Sequence, residues 1–119
     1  MMQKATVSHQ IQALIQDIID QDLLVIVEGK KDKHALKELG ITRIITFCAL
    51  HKLLEKVAHE KQVVVLTDLD KEGKHSYGKI KDLFSRHGIF VNDNLRNFLY
   101  KYTQLKQIEG LPHYLDKLE

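Results

Sequence analysis

Asp68 and Asp70 stand two residues apart at the close of the apolar run 63–67. While the backbone stays extended, alternate side chains share a face, so both carboxylates are presented together. A second apolar run, 23–27, ends in Glu28 and Gly29. Like charges brought close need a cation or a shared proton. Magnesium fits, because it takes oxygen ligands, binds through one or two carboxylates and fills its shell with water and substrate phosphates; manganese is the alternative. Asp68 and Asp70 are the natural ligands, and Glu28 would either ligate or act as general acid/base on a phosphodiester. Lysines crowd both runs: Lys30, Lys31 and Lys33 follow the first, Lys71 and Lys74 the second. Carboxylates for a metal, ringed by ammonium groups, suit phosphoryl chemistry on a polyanion. Gly29 and Gly73 would let backbone approach the phosphates.

Such chemistry requires the two runs to be neighbouring strands. Both read as buried strands, 23–28 and 62–67, with two shorter ones at 43–47 and 89–91. Between them lie amphipathic stretches. A helix over 8–20 carries Ile11, Leu14, Ile15, Ile18 and Ile19, with Ser8 as its N-cap. A short helix with Ala35, Leu36 and Leu39 inward closes at Gly40. Another spans 50–59, and one over 74–87 turns Tyr77, Ile80, Leu83 and Phe84 inward before Gly88. After Asn94 a stripe at Leu95, Phe98, Leu99 and Tyr102 predicts a further helix. The end, from Ile108 past Pro112, reads as a loop with at most one helical turn. Strands alternating with helices predict an α/β fold: a four-stranded parallel sheet with right-handed crossovers and helices on both faces. In such sheets ligands bind at the carboxyl edge.

The 119 residues are one domain, 1–119, with its core over about 22–92 and a C-terminal helical segment over 94–119. A net charge of +2, from 18 Lys+Arg against 16 Asp+Glu, is too balanced for a domain-wide basic footprint, so any phosphate-binding surface is a local patch. The single cysteine, Cys48, excludes an internal disulfide and any cysteine-based zinc module. The N-terminus lacks a signal-peptide core and no apolar run approaches membrane-spanning length. The expectation is a cytoplasmic protein with no membrane partner.

The sequence Val-Ile-Val-Glu28-Gly29-Lys30-Lys31-Asp32, followed about forty residues later by Leu-Thr-Asp68-Leu-Asp70-Lys-Glu-Gly73, resembles the Toprim domain. That domain is shared by topoisomerases, bacterial primases, nucleases and recombination mediators. The wording Glu-Gly-Lys-Lys-Asp is most similar to small primase-like Toprim proteins and to the ribonuclease that matures 5S ribosomal RNA. The resemblance implies a Rossmann-like four-stranded parallel sheet, Glu28 as general acid/base, and Asp68 and Asp70 as magnesium ligands. It adds Asp32 as a supporting acid, and Gly29 and Gly73 match the family glycines. It implies nucleic acid, RNA or DNA, as partner. The chain departs from the larger members, with no zinc module and no separate domain for a nucleophilic tyrosine; Tyr77, Tyr100, Tyr102 and Tyr114 read more simply as helix-face residues.

Other signals carry less. Gly73-Lys74 fails as a phosphate-binding loop, since the glycine required five positions earlier is Asp68. An aspartyl-phosphate phosphatase would place Asp-x-Asp after the first strand rather than the third. His51, Glu55 and His59 share a helix face but lack zincin spacing. His34 and His75 lie near the acidic edge, where contact with phosphate and plain surface placement explain them equally, and Cys48 after a strand reads as a small, partly buried residue. Gly78 suggests close packing against a neighbouring element. The expected activity is magnesium-dependent phosphodiester chemistry on nucleic acid, foremost a nuclease-like cut in structured RNA. The rival is a non-catalytic module that binds nucleic acid or protein; binding or hydrolysis of a small phosphate compound ranks third. The helix after Asn94 is the candidate surface for a protein partner or a second copy.

Overall fold

A computed structural model describes residues 2–118; Met1 and Glu119, the outer ends of the single-domain reading, lie outside the described residues. In chain order the elements are α1 (Lys4–Asp20), β1 (Leu24–Val27), α2 (Lys30–Glu38), β2 (Ile44–Thr46), α3 (Leu50–Val57), β3 (Gln62–Leu66), α4 (Lys71–Arg86), β4 (Phe90–Asn92) and α5 (Asn94–Tyr102). A 3-10 turn, Ile108–Gly110, then leads into α6 (Leu111–Leu118). The four strands form one all-parallel sheet in the order β2-β1-β3-β4. The α/β architecture expected from the alternating pattern is what the chain adopts.

The two inner strands are apolar on both faces because both faces are covered. Val25, Val27, Val64 and Leu66 join α1, α5 and α6 in one core, through Ile11, Leu99 and Leu111 among others. Their alternates Leu24, Ile26, Val63 and Val65 pack with Leu53 and Val57 of α3 and with Ile80 and Phe84 of α4. Strand period 2 thus divides each run between two cores.

Four expectations are corrected. The first helix starts at Lys4, because Val7 extends the stripe of Ile11, Ile15 and Ile18 by one turn; Ser8 is therefore a buried interior residue, and its Oγ accepts from Gln12 Nε2 at 3.0 Å. The C-terminal stretch is a full helix, with Leu111 and Leu115 buried, and Pro112 fits because a first turn needs no donor there. Tyr102, read as part of the apolar stripe of this helix, sits at the end of α5 and is 41% exposed, apart from the buried Leu95 and Leu99. Gly78 is exposed, and a Cβ there would meet nothing within 4 Å, so no close approach explains it. Among the described residues no helix is long and apolar enough to cross a membrane.

Candidate functional site

Register decides what meets at the carboxyl edge of the sheet. Val27 pairs with Leu66, so Glu28 leaves β1 beside the turn that leaves β3. The two ends are joined directly: the Asp68 backbone N–H donates to Glu28 Oε2 at 2.9 Å. Burial pushes the Glu28 carboxyl above its ordinary 4.5, and the charges of Asp68 and Asp70 push the same way, against the hydrogen bond from Asp68. A raised carboxyl is a usual mark of acid/base sites.

The first strand end is built locally. Gly29 is the N-cap of α2, with extended backbone, and its N–H donates to Asp32 Oδ2 at 3.0 Å, the returning half of a capping box. A Cβ on Gly29 would meet only Asp32 Oδ2, at 3.9 Å. Asp32 is buried, and burial followed by the Asp68 charge raises its carboxyl, while the Gly29 and Glu109 backbone amides oppose the rise. Asp32 therefore borders the acidic corner while holding the start of the helix.

The second strand end is built by packing. Asp70 caps α4, its Oδ1 accepting the Gly73 N–H at 2.8 Å. Gly73 lies so close to the preceding turn that a Cβ would stand 1.8 Å from the Asp68 carbonyl oxygen. The Thr67 hydroxyl donates to the Gly73 carbonyl at 2.6 Å and closes the loop. The turn's own packing thus demands this glycine before any phosphate does.

Two groups missed by the sequence reading complete the corner. Arg96 of α5 is buried; its Nη1 donates to the Thr67 carbonyl and its Nη2 to the Asp68 carbonyl at 3.0 Å. Its guanidinium lies 4.6 Å from the Tyr77 ring centre, and the Tyr77 hydroxyl donates to Asp93 Oδ2 at 3.1 Å. Burial pulls the Arg96 pKa down, while Tyr77, Glu28, Asp68 and Asp70 favour its charge. The second group is the strap between α5 and α6. Its Ile108 N–H donates to Asp68 Oδ1 at 3.0 Å, and Lys106 accepts the Leu69 N–H at 2.7 Å. No local motif signals either contact, since the bonded partners are 28 to 40 residues apart.

Glu28, Asp32, Asp68 and Asp70 share one corner, but the lysines are divided. Lys30 and Lys31 line a groove of about 530 Å³ with His34, Glu109 and His113. His34 Nε2 pairs with Glu38 at 3.1 Å. Lys74 instead sits 5.7 Å over the Tyr100 ring. Among the described residues no three Asp, Glu, His or Cys side chains are gathered into a ready-made metal cage. The donor chemistry still suits a hard cation. Glu28, Asp68 and Asp70 each have one oxygen oriented by a backbone N–H, and the Glu28 and Asp68 carboxyls also face each other. Magnesium is commonly held by one or two carboxylates and needs no full protein cage.

Fold and corner together define an α/β protein with acids at the carboxyl edge of a parallel sheet. No family model matches the chain. It is 32% identical over 100 residues to a UPF0292 protein of Methanocaldococcus jannaschii, covering 78% of each chain. It is 36% identical over 101 residues to one of Methanosarcina barkeri, covering 80% of this chain and 71% of that one. The chain belongs to the UPF0292 family. A solved structure of a protein from Aquifex aeolicus superposes with a TM-score of 0.76 at 28% identity, covering 86% of this chain and 95% of that one.

Proposed function

We propose that this chain is a Toprim-type enzyme acting in the cytoplasm on nucleic-acid phosphodiesters, with a nuclease-like cut in structured RNA as its reaction. One observation carries the reading: Glu28 reaches across from β1 to the backbone of Asp68, so the acids closing two buried strands occupy one corner. Asp68 and Asp70 would hold magnesium or manganese, with Asp32 as acidic support. The bound cation would offset the corner's negative charge and polarise the scissile phosphate. Glu28, with its raised carboxyl, would move a proton at its second oxygen. Gly29, Lys30 and Lys31 on one helix start, and Gly73 and Lys74 on the other, would bind flanking phosphates.

The test is cleavage of labelled structured RNA and of DNA by the purified chain in magnesium, in manganese and in EDTA. Cleavage is expected only with metal, and Asp68→Asn combined with Asp70→Asn is expected to abolish it without unfolding the protein. A double variant that still cuts overturns the assignment.

A specific contact favours a second reading, a non-catalytic binding module. The strap's Ile108 N–H already occupies Asp68 Oδ1, leaving that acid half engaged. Retention of nucleic acid without cleavage in either metal selects the module, and retention of neither RNA nor DNA points to a protein partner or a second copy.

A further inference from the structure

We propose that the cleft beside Asp70, together with Tyr100, is a binding site for an unpaired nucleic-acid strand. This deepens the phosphodiester reading and rests on it. Asp70, Gln104, Lys106, Gln107 and Tyr114 line an open depression of about 450 Å³, within the range of sites that take a small organic group. The depression joins the acidic corner, through Asp70, to the outer side of the strap. Its chemistry is that of a base reader. Gln104 and Gln107 each offer donors and an acceptor, and Tyr114 supplies part of a ring wall.

Four residues before Gln104, Tyr100 is 60% exposed on α5. Lys74, one helical turn beyond Asp70, holds its ammonium 5.7 Å from the centre of that ring. The pattern repeats on the same helix, where Lys101 lies 5.2 Å over the Tyr102 ring. An exposed ring with an ammonium at its face is the pair that a single strand uses, a base on the ring and a phosphate on the cation. A base paired in a duplex cannot turn its face to Tyr100, so the site selects unpaired segments. Lys30 and Lys31 of α2 lie in another groove and serve a different part of the substrate.

The test is fluorescence anisotropy in EDTA, which separates binding from cutting, with a labelled single-stranded RNA, the same sequence as DNA, and the RNA annealed to its complement. Both single strands are expected to bind, with the duplex at least about 10-fold weaker. A preference for RNA over DNA would mark a 2′-hydroxyl contact and equal binding would mark stacking and phosphate alone; either pattern supports the cleft. Tyr100→Ala is expected to weaken binding about 10-fold, and Tyr100→Phe to restore it, as the loss and return of one stacked base would do. Lys74→Gln is expected to lower the salt slope by about 0.7. Melting curves of each variant confirm folding, since both positions are exposed. The proposal is overturned if Tyr100→Ala binds like the parent, if duplex binds as well as single strand, or if neither strand binds at low salt. The two readings fail separately. Weakened binding by Tyr100→Ala with no cleavage in magnesium removes the catalysis and keeps the cleft, whereas cleavage that Tyr100→Ala leaves untouched removes the cleft and keeps the catalysis.

Discussion

The two strand ends at the carboxyl edge share one grammar, an acid, a glycine and a lysine-bearing helix start, but they are held by different physics. After β1 the helix start is capped locally: Gly29 caps α2 and Asp32, three residues on, returns the bond, while Glu28 and Asp32 each also accept from a distant backbone amide, of Asp68 and Glu109. After β3 the turn depends on distant segments. Arg96 grips two of its carbonyls, the strap grips Asp68, and Gly73 is pressed against the Asp68 backbone. A loop satisfied by its own residues tolerates change, whereas one satisfied from afar transmits it. Acids placed on the second kind are oriented by the whole domain, and under the proposed function a metal held there would be too.

Glycine substitutions test this contrast most severely. Gly73→Ala must displace backbone to relieve a 1.8 Å approach and is expected to cost about 3 kcal/mol or more in urea unfolding. Gly29→Ala, with room for its methyl group, should cost about 1 kcal/mol or less. Equal losses would erase the distinction between the two turns.

Arg96→Met comes next. It strips one buried and one partly buried carbonyl of a charged donor, which should cost about 2–3 kcal/mol in the same measurement. Arg96→Lys should recover only part, because one ammonium cannot reproduce a planar fork. If Arg96→Met unfolds like the parent, the turn does not depend on α5.

Smaller effects separate capping from ligation at Asp70. Asp70→Ala should lose about 1 kcal/mol with the cap, while Asp70→Asn keeps the cap and loses the charge. A calorimetric magnesium titration should therefore show weakened binding in both, with only the alanine variant melting lower.

Glu28→Gln should shift stability least, and with a definite pH signature. The folded carboxyl is raised above 4.5, so the fold binds that proton more tightly than the unfolded chain does. The stability this confers is present below pH 4.5 and is lost as pH rises through the raised folded value. The glutamine variant has no such loss. Its melting temperature relative to the parent should rise between acid and neutral pH, and a flat difference would deny that the site strains Glu28.

Much of the molecule was legible in order along the chain. Apolar runs 23–27 and 63–67 read as strands covered on both faces by their shortness and β-branched residues, and the intervening stripes of period 3.6 as their crossover helices. Glu28, Asp68 and Asp70 declared themselves because an acid directly after a buried strand must emerge at an edge. The start of α1 was harder to place, as Val7 adds a turn that no capping residue announces. So was α6, whose Leu111 and Leu115 stripe is interrupted by Pro112.

The sheet, its flanking helices and the acids at its carboxyl edge were written into the chain, because period and strand-end chemistry are local properties. How those acids are held emerges from contacts made in the folded domain. Arg96 beneath the turn, the strap on Asp68 and the pairing of Lys74 with Tyr100 each join residues about thirty to forty positions apart or on separate helices, and nothing in short-range spacing encodes such contacts.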